Sequence, residues 1–300
     1  MSGLDQDYSD LMRELWGSPG RWNVRESYAG VARNLGVDEE TVRNRLKRLK
    51  ASGFLEGWRL LPNPCLFGRS SVMQHLRFVD PTAKEAAIPR LMRMDGAIVV
   101  ASLYGTELLV TLYDDSERTA SKRLTDVRAQ GEPTEWPGMS LPLTKFRMTQ
   151  TDWQIIRLML RDAHRSVAEV AAEVKVSVRT VKRRLDNMMA ASAIFIVPMI
   201  NQAKSTGVSY QVIVESEGGR KSEVDMLVTS KIRNLVFKSA DSSDSQIFGF
   251  SGKNVAEGKE LLDWFRTQPF IRSVKISIVE EVEYAFDWLE REASRLAGLN

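Results

Sequence analysis

The chain has 300 residues, a formal net charge of +3, 43% apolar and 27% charged residues, two histidines and a single cysteine, Cys65. That length and composition fit a globular protein of a few small domains, and a lone cysteine excludes an internal disulfide framework. The longest apolar run, around Ala193 to Ile200, is interrupted by Pro198 and too short to span a bilayer, so no membrane partner is expected.

No hydrophobic segment follows Met1, and the expected location is cytoplasmic. A nearly balanced net charge decides little by itself, so what matters is where the positive residues cluster.

In chain order, Leu11, Met12, Leu15 and Trp16 recur at helical spacing and predict a helix over Asp5 to Trp16. A short helix over Arg25 to Leu35 follows and is broken by Gly36. A third helix is entered through Asp38, an N-cap candidate with Thr41 behind it. In it Val42, Leu46 and Leu49 form a core face while Glu39, Glu40, Arg43, Asn44, Lys47 and Lys50 point outward. The run FLEGWRLL, with Gly57 at its turn, reads as a two-stranded hairpin, or wing. The period then changes from 3.6 to 2. Strands are expected around Val72 to Phe78, Ala97 to Leu103 and Glu107 to Leu112, and helices over Thr82 to Arg93 and Ser116 to Arg128. Where a further strand is due, Pro133, Pro137 and Pro142 make Gly131 to Lys145 a linker or at best an irregular edge strand.

The order then recurs. Helices are expected over Thr151 to Arg161 and Ser166 to Val174, with a break at Lys175 and a third helix entered through Ser177 and Thr180. Its core face is Val181, Leu185 and Met188, and its outward set is Val178, Arg179, Lys182, Arg183 and Asp186. A more apolar wing, Ile194 to Asn201, follows. Beyond it come Ser209 to Val214, Lys221 to Thr229, Leu235 to Ser239, Gln246 to Phe250, Val255 to Phe265, a strand Val274 to Val279 and a helix Glu283 to Leu296. Sliding the chain against itself by about 139 residues pairs Thr41 with Thr180, Val42 with Val181, Arg45 with Arg184 and Leu46 with Leu185, a half-chain repeat.

The fold class expected is α+β, a tandem repeat of a winged helix-turn-helix and a ferredoxin-like βαββαβ domain. The boundaries are 1–66 and 148–205 for the winged helices, 67–130 and 206–300 for the ferredoxin-like domains, and 131–147 for the linker.

A winged helix-turn-helix places its third helix in the DNA major groove. Arg and Lys neutralise phosphates or fork onto guanine, and Asn pairs with adenine. The expected DNA contacts are Glu40, Thr41, Arg43, Asn44, Arg45 and Lys47 in the first copy, and Ser177, Arg179, Thr180, Lys182, Arg183 and Arg184 in the second. Arg45 and Arg184 flank the buried face, so each can clamp a phosphate or pair with an acid of its first helix. The two copies set Glu40 against Arg179, Arg43 against Lys182, Asn44 against Arg183 and Lys47 against Asp186, so the two heads are expected to want unlike half-sites. Enzymatic signals are weak. No metal-ligand spacing occurs, neither histidine lies near a cysteine or an acidic cluster, and the glycines of FGFSGKN, Phe248 to Asn254, read as a tight turn. No cofactor, metal or catalytic residue is expected.

The segment from Thr151 to Met188 resembles the DNA-binding domain of the Lrp/AsnC (feast/famine) transcription regulators, through Asp152, Arg165, Ser166, Ala171, Ser177, Thr180, Val181, Arg184 and Leu185. The first copy agrees at Leu4, Asp5, Thr41, Val42, Arg45, Leu46 and Gly53, with Asp38 in place of the serine and a longer loop from Gly17 to Asn23. The resemblance implies double-stranded DNA as partner, a sensing domain that dimerises and often binds an amino acid, and a homodimer or higher oligomer. It departs in carrying two copies per chain. Loop position together with this resemblance points to Gly105, Thr106, Gly249, Ser251 and Gly252, between the two ferredoxin-like sheets, for a small effector. Siroheme decarboxylases share the architecture and give an enzymatic alternative. A third is an interaction protein whose winged helices do not bind DNA.

Overall fold

The computed structural model describes residues 10–12, 14, 28–115, 121–136, 141–205, 207–231, 235–238 and 245–299. Residues 10–12 and 14 are helical; the rest of the expected first helix, Leu4, Asp5, the loop from Gly17 to Asn23 and Ser116 to Ala120 lie outside the described residues.

The first head continues with α1 (Tyr28–Leu35) and α2 (Glu39–Ala51). Gly36 stops α1 at φ +67, left-handed backbone that costs glycine little. Asp38 caps α2 by accepting from the Thr41 N–H at 2.6 Å, and Val42, Leu46 and Leu49 are its buried face. The second head is α5 (Gln150–Met159), α6 (Val167–Val174) and α7 (Val178–Ala190). Thr149 and Asp152 close a reciprocal capping box on α5, and Ser177 caps α7 by accepting from the Thr180 N–H at 3.1 Å.

The wings depart from expectation. FLEGWRLL is not a hairpin: β1 (Leu55–Pro62) is one strand, and it pairs antiparallel with β6 (Ile194–Ile200), from Leu55 opposite Ile200 to Pro62 opposite Ile194. Gly57 sits at a bulge in that register instead of a turn. Trp58, Leu60 and Leu61 are buried, as are Ile194 through Val197, and each strand covers the apolar side chains of the other. Both heads, both wings and the C-terminal helix therefore share one core, running from Val42 and Leu46 through Leu60 and Ile196 to Val181, Leu185 and Trp288.

Between and after the heads lie β2 (Arg69–Arg77), α3 (Pro81–Met92), β3 (Ala97–Leu103), β4 (Glu107–Asp115), α4 (Lys122–Arg128) and β5 (Glu132–Thr134). Then come β7 (Val208–Ser216), α8 (Lys221–Lys231), β8 (Leu235–Lys238), β9 (Ser245–Gly252), α9 (Val255–Arg266), β10 (Ile271–Tyr284) and α10 (Asp287–Leu296). The order β-α-β-β-α-β thus occurs twice. All eight strands belong to one sheet, in the order β5-β2-β4-β3-β10-β7-β9-β8. Each half packs its helices on its own part of the sheet, through Leu76, Ile88, Leu91 and Val110 in the first and Val212, Val214, Phe248 and Phe265 in the second.

Of the two readings of Gly131 to Lys145, the edge strand is found at Glu132–Thr134, paired to β2 with Pro133 opposite Leu76, since an edge strand can spare an N–H. Two boundaries are corrected. β10 runs well past Val279: Glu283 and Tyr284, expected to open the last helix, are strand, and α10 begins at Asp287. The extension follows from pairing, because Ile271 to Val279 bond to β7 while Val279 to Tyr284 bond to β3 of the other half.

Candidate nucleic-acid interface and ligand cavity

α7 is a rigid platform. Val181, Leu185 and Met188 anchor its inner face. Arg184 fastens its flank: one guanidinium nitrogen donates to Asp152 Oδ1 and to Thr149 Oγ1, both at 2.9 Å. Asp152 is 1% exposed and already accepts the Thr149 N–H and hydroxyl, so Arg184 neutralises a buried carboxylate inside a helix cap. Of the two roles open to Arg184, the structure places it in the ion pair with the acid of the first helix. Ser177 and Thr180 hydroxyls lie 2.8 Å apart at the helix N-terminus. Arg165, in the turn before α6, is tied to Glu173 and Glu169 of that helix.

What remains outward is Arg179, Lys182 and Arg183. All three are exposed, spaced so that they share one face, and have no ion pair to any described residue.

α2 has the same frame and a different surface. Glu40, Arg43, Asn44 and Lys47 are exposed, whereas Thr41 and Arg45 are half-buried. Arg43 is committed locally: it pairs with Glu39 one turn earlier and lies 4.8 Å over the Tyr28 ring of α1. The Thr41 N–H holds the Asp38 carboxyl below its ordinary range, as suits a cap at the positive end of a helix.

Both histidines are packed in aromatic stacks on separate elements. His75 is fully buried, lies parallel to Trp136 at 4.6 Å and bonds through Nδ1 to the Thr134 hydroxyl. Its Nε2 stands 3.4 Å from the Glu107 carboxylate without a hydrogen bond. Burial pushes its pKa down, against the pull of Glu107, and so favours the neutral ring at neutral pH. His164 stacks on Trp58 of β1 at 5.3 Å.

Side chains from both half-sheets and both wings line a cavity of about 220 Å³. Gly249 and Ser251 line it; Gly105, Thr106 and Gly252 do not. Gly105 occupies the turn after β3 at φ +95, where a Cβ would meet nothing, and the Thr106 carbonyl accepts from the Phe78 N–H at 2.9 Å. Gly252 serves packing, since a Cβ there would stand 2.8 Å from the Tyr210 ring, and one at Gly258 2.7 Å. Those two glycines admit Tyr210, whose hydroxyl donates to the Asn254 carbonyl at 2.5 Å, while Asn254 caps α9. Sequence reasoning missed the cavity walls formed by Ser71, Ala101, Thr111 and Val279, which lie far apart in the chain and meet through the sheet order.

Residues 148–189 match the model of the AsnC-type helix-turn-helix domain. Over 84 residues the chain is 33% identical to the HTH-type transcriptional regulator Ptr1 of Methanocaldococcus jannaschii, covering 28% of this chain and 55% of that protein. An uncharacterised HTH-type transcriptional regulator of Pyrococcus horikoshii is 26% identical over 93 residues, covering 31% and 56%. The chain thus spans about half the length of the curated relatives it matches. Among solved structures, the siroheme decarboxylase NirDL is similar in fold over 97% of this chain and 98% of its own, with a TM-score of 0.57 and 13% identity.

Proposed function

The chain carries an AsnC-type helix-turn-helix domain, as Lrp/AsnC regulators do, and on that premise we propose that it is a sequence-specific DNA-binding transcription regulator controlled by a small effector. The observation that carries the reading is the outer face of α7, where Arg179, Lys182 and Arg183 stand exposed and without an ion pair among the described residues. A helix in the major groove needs that combination: cations free to meet phosphate and guanine, on a frame stiff enough to hold them in register.

The two heads act as an internal pair. Because β1 and β6 join the wings and the heads share a core, α2 and α7 are presented at a fixed separation. Their outward residues differ, so the operator has unlike half-sites, with the second head contributing more. The test is footprinting on a selected genomic site, then on versions made symmetric with either half. One symmetric version binding more weakly than the natural site supports the reading; equal binding of both counts against it. Affinity that does not fall as salt rises would overturn DNA binding by these cations altogether.

A second reading is raised by the full-length likeness of fold to siroheme decarboxylase. A tetrapyrrole rich in carboxylates calls for converging cations, yet among the described residues lining the cavity there is no Arg, Lys or His. The two histidines stand on separate elements, each stacked on a tryptophan. The enzymatic reading is therefore the weaker of the two, and a Soret band that shifts when siroheme is mixed with the protein would restore it. The third reading, winged helices that serve only as an interaction scaffold, needs buried basic faces, and the α7 face is exposed.

A further inference from the structure

The central cavity is walled by strands of both halves: Ser71 on β2, Ala101 on β3 and Thr111 on β4 face Gly249 on β9 and Val279 on β10. Phe54 and Phe195 border it from the wing side. At about 220 Å³ it exceeds the apolar cavity of roughly 150 Å³ that suffices to hold benzene. No Asp, Glu, Lys, Arg or His is among the described residues that line it. The polar groups are uncharged. Several of them are spoken for: the Tyr113 hydroxyl donates to the Pro62 carbonyl at 2.8 Å, and the Ser209 hydroxyl to Gln202 at 2.6 Å. Burial raises the Tyr113 phenol well above its usual range, so it too stays neutral. Ser71 is the fully enclosed one that is not, its Oγ buried with no hydrogen-bond partner among the described residues.

We infer that this cavity binds a neutral, mainly hydrocarbon molecule somewhat larger than benzene, carrying one hydrogen-bonding group that meets the Ser71 hydroxyl. An amino acid fits poorly. Its ammonium and carboxylate would both lose water without finding a counter-charge, which a site with no ionised wall cannot offset. A hydrocarbon ring gains from the apolar walls, and a single hydroxyl or N–H satisfies the buried Ser71 oxygen. The proposal deepens the effector part of the regulator reading, but its test uses no DNA, so failure of either is distinguishable from failure of the other.

The experiment is calorimetric titration and thermal melting of the full chain with 1-naphthol and indole as neutral probes, naphthalene as the counterpart lacking a hydrogen-bonding group, and L-leucine as the zwitterionic comparator. It is run on the wild type, Ser71→Ala and Ala101→Leu. Expected are saturable binding of 1-naphthol with a raised Tm, none with L-leucine, and clearly weakened binding in Ala101→Leu, which narrows the cavity. Ser71→Ala weakens 1-naphthol about fivefold, the worth of one hydrogen bond, and leaves naphthalene unchanged. Absence of saturable binding by both neutral probes overturns the proposal. So do L-leucine binding as tightly as 1-naphthol, and a folded Ala101→Leu that keeps full affinity. Should Ala101→Leu fail to fold, methyl NMR of the wild type decides: shifts confined to methyls that line the cavity, such as Val99, Ala101, Leu109, Val197 and Val279, support the site, and shifts confined to methyls away from it refute it.

Discussion

The two recognition helices, α2 and α7, have 13 residues each, a core triad at the same spacing and an oxygen-bearing cap two residues after a left-handed residue. They differ in what their charges do. On α2 an acidic first turn engages Arg43, and the Tyr28 ring covers it. On α7 Arg184 is in an ion pair and looks inward to Asp152, while the outer cations have no ion pair among the described residues and are exposed. A basic helix is thus not by itself a binding surface. Its charges must be spared from each other, and the ion pair that stiffens the frame must come from the flank.

The largest contrast is expected in DNA binding. Replacing Arg179, Lys182 and Arg183 together with Ala costs about a hundredfold or more in affinity, and the same change at Arg43, Asn44 and Lys47 about tenfold, since each good contact is worth roughly 1–3 kcal/mol. Neither triple variant lowers Tm appreciably. Equal losses in a gel shift would break the asymmetry between the heads.

Next comes stability. Arg184→Ala leaves the Asp152 carboxylate buried and unneutralised and costs about 2–3 kcal/mol, less than a wholly buried pair because the arginine is partly wet. Arg43→Ala breaks an exposed pair within one helix and stays within about 0.5 kcal/mol. Urea unfolding measures both, and similar midpoints for the two variants would contradict the roles assigned.

A smaller contrast lies just ahead of the caps. The second head puts Lys175 at φ +57 where the first puts Gly36 at φ +67. Lys175→Gly therefore stabilises by about 0.5–1 kcal/mol through relief of the left-handed strain, and Gly36→Ala destabilises by a comparable amount. An unchanged unfolding midpoint for Lys175→Gly would show that the strain is already compensated.

The last contrast is one of pH. His75 on β2 has its pKa depressed by burial, with Glu107, Lys275 and Arg77 around it, whereas β7 has no histidine. The unfolded imidazole takes a proton before the folded one does. The stability it contributes is therefore complete above pH 6.5, the ordinary value, and is lost as pH falls through the lower folded value. Melting curves from pH 8 to pH 5 for the wild type and His75→Gln give the difference; parallel curves would mean that His75 charges freely in the fold.

What is legible in the sequence is what local chemistry decides. Asp38 and Ser177 cap the helices that their positions predict, because an N-cap is closed within three residues. Ala97–Leu103 reads as a strand from its own apolar run. FLEGWRLL misleads because its partner, β6, lies more than a hundred residues away, and a buried strand and half a hairpin look alike until the partner is known. The end of β10 is hidden for the same reason: Glu281 and Glu283 interrupt its apolar pattern, and only β3 of the other half holds them in a strand. Sequence narrows Arg184 to two roles without deciding between them, since its acid sits on another helix. Tyr210 explains Gly252 and Gly258 only once β7 and α9 are side by side.

The partner switch along β10 sets an order of events during synthesis. The ribosome releases β3 long before Ile271 to Tyr284, so until then the first half exposes a strand edge with unpaired amides, and β1 likewise waits for β6. An open edge of this kind templates pairing between nascent chains on neighbouring ribosomes. The fused architecture that yields a fixed pair of heads thus also creates a window, closed only by the last strand, in which the growing polypeptide depends on speed or on a chaperone to remain single.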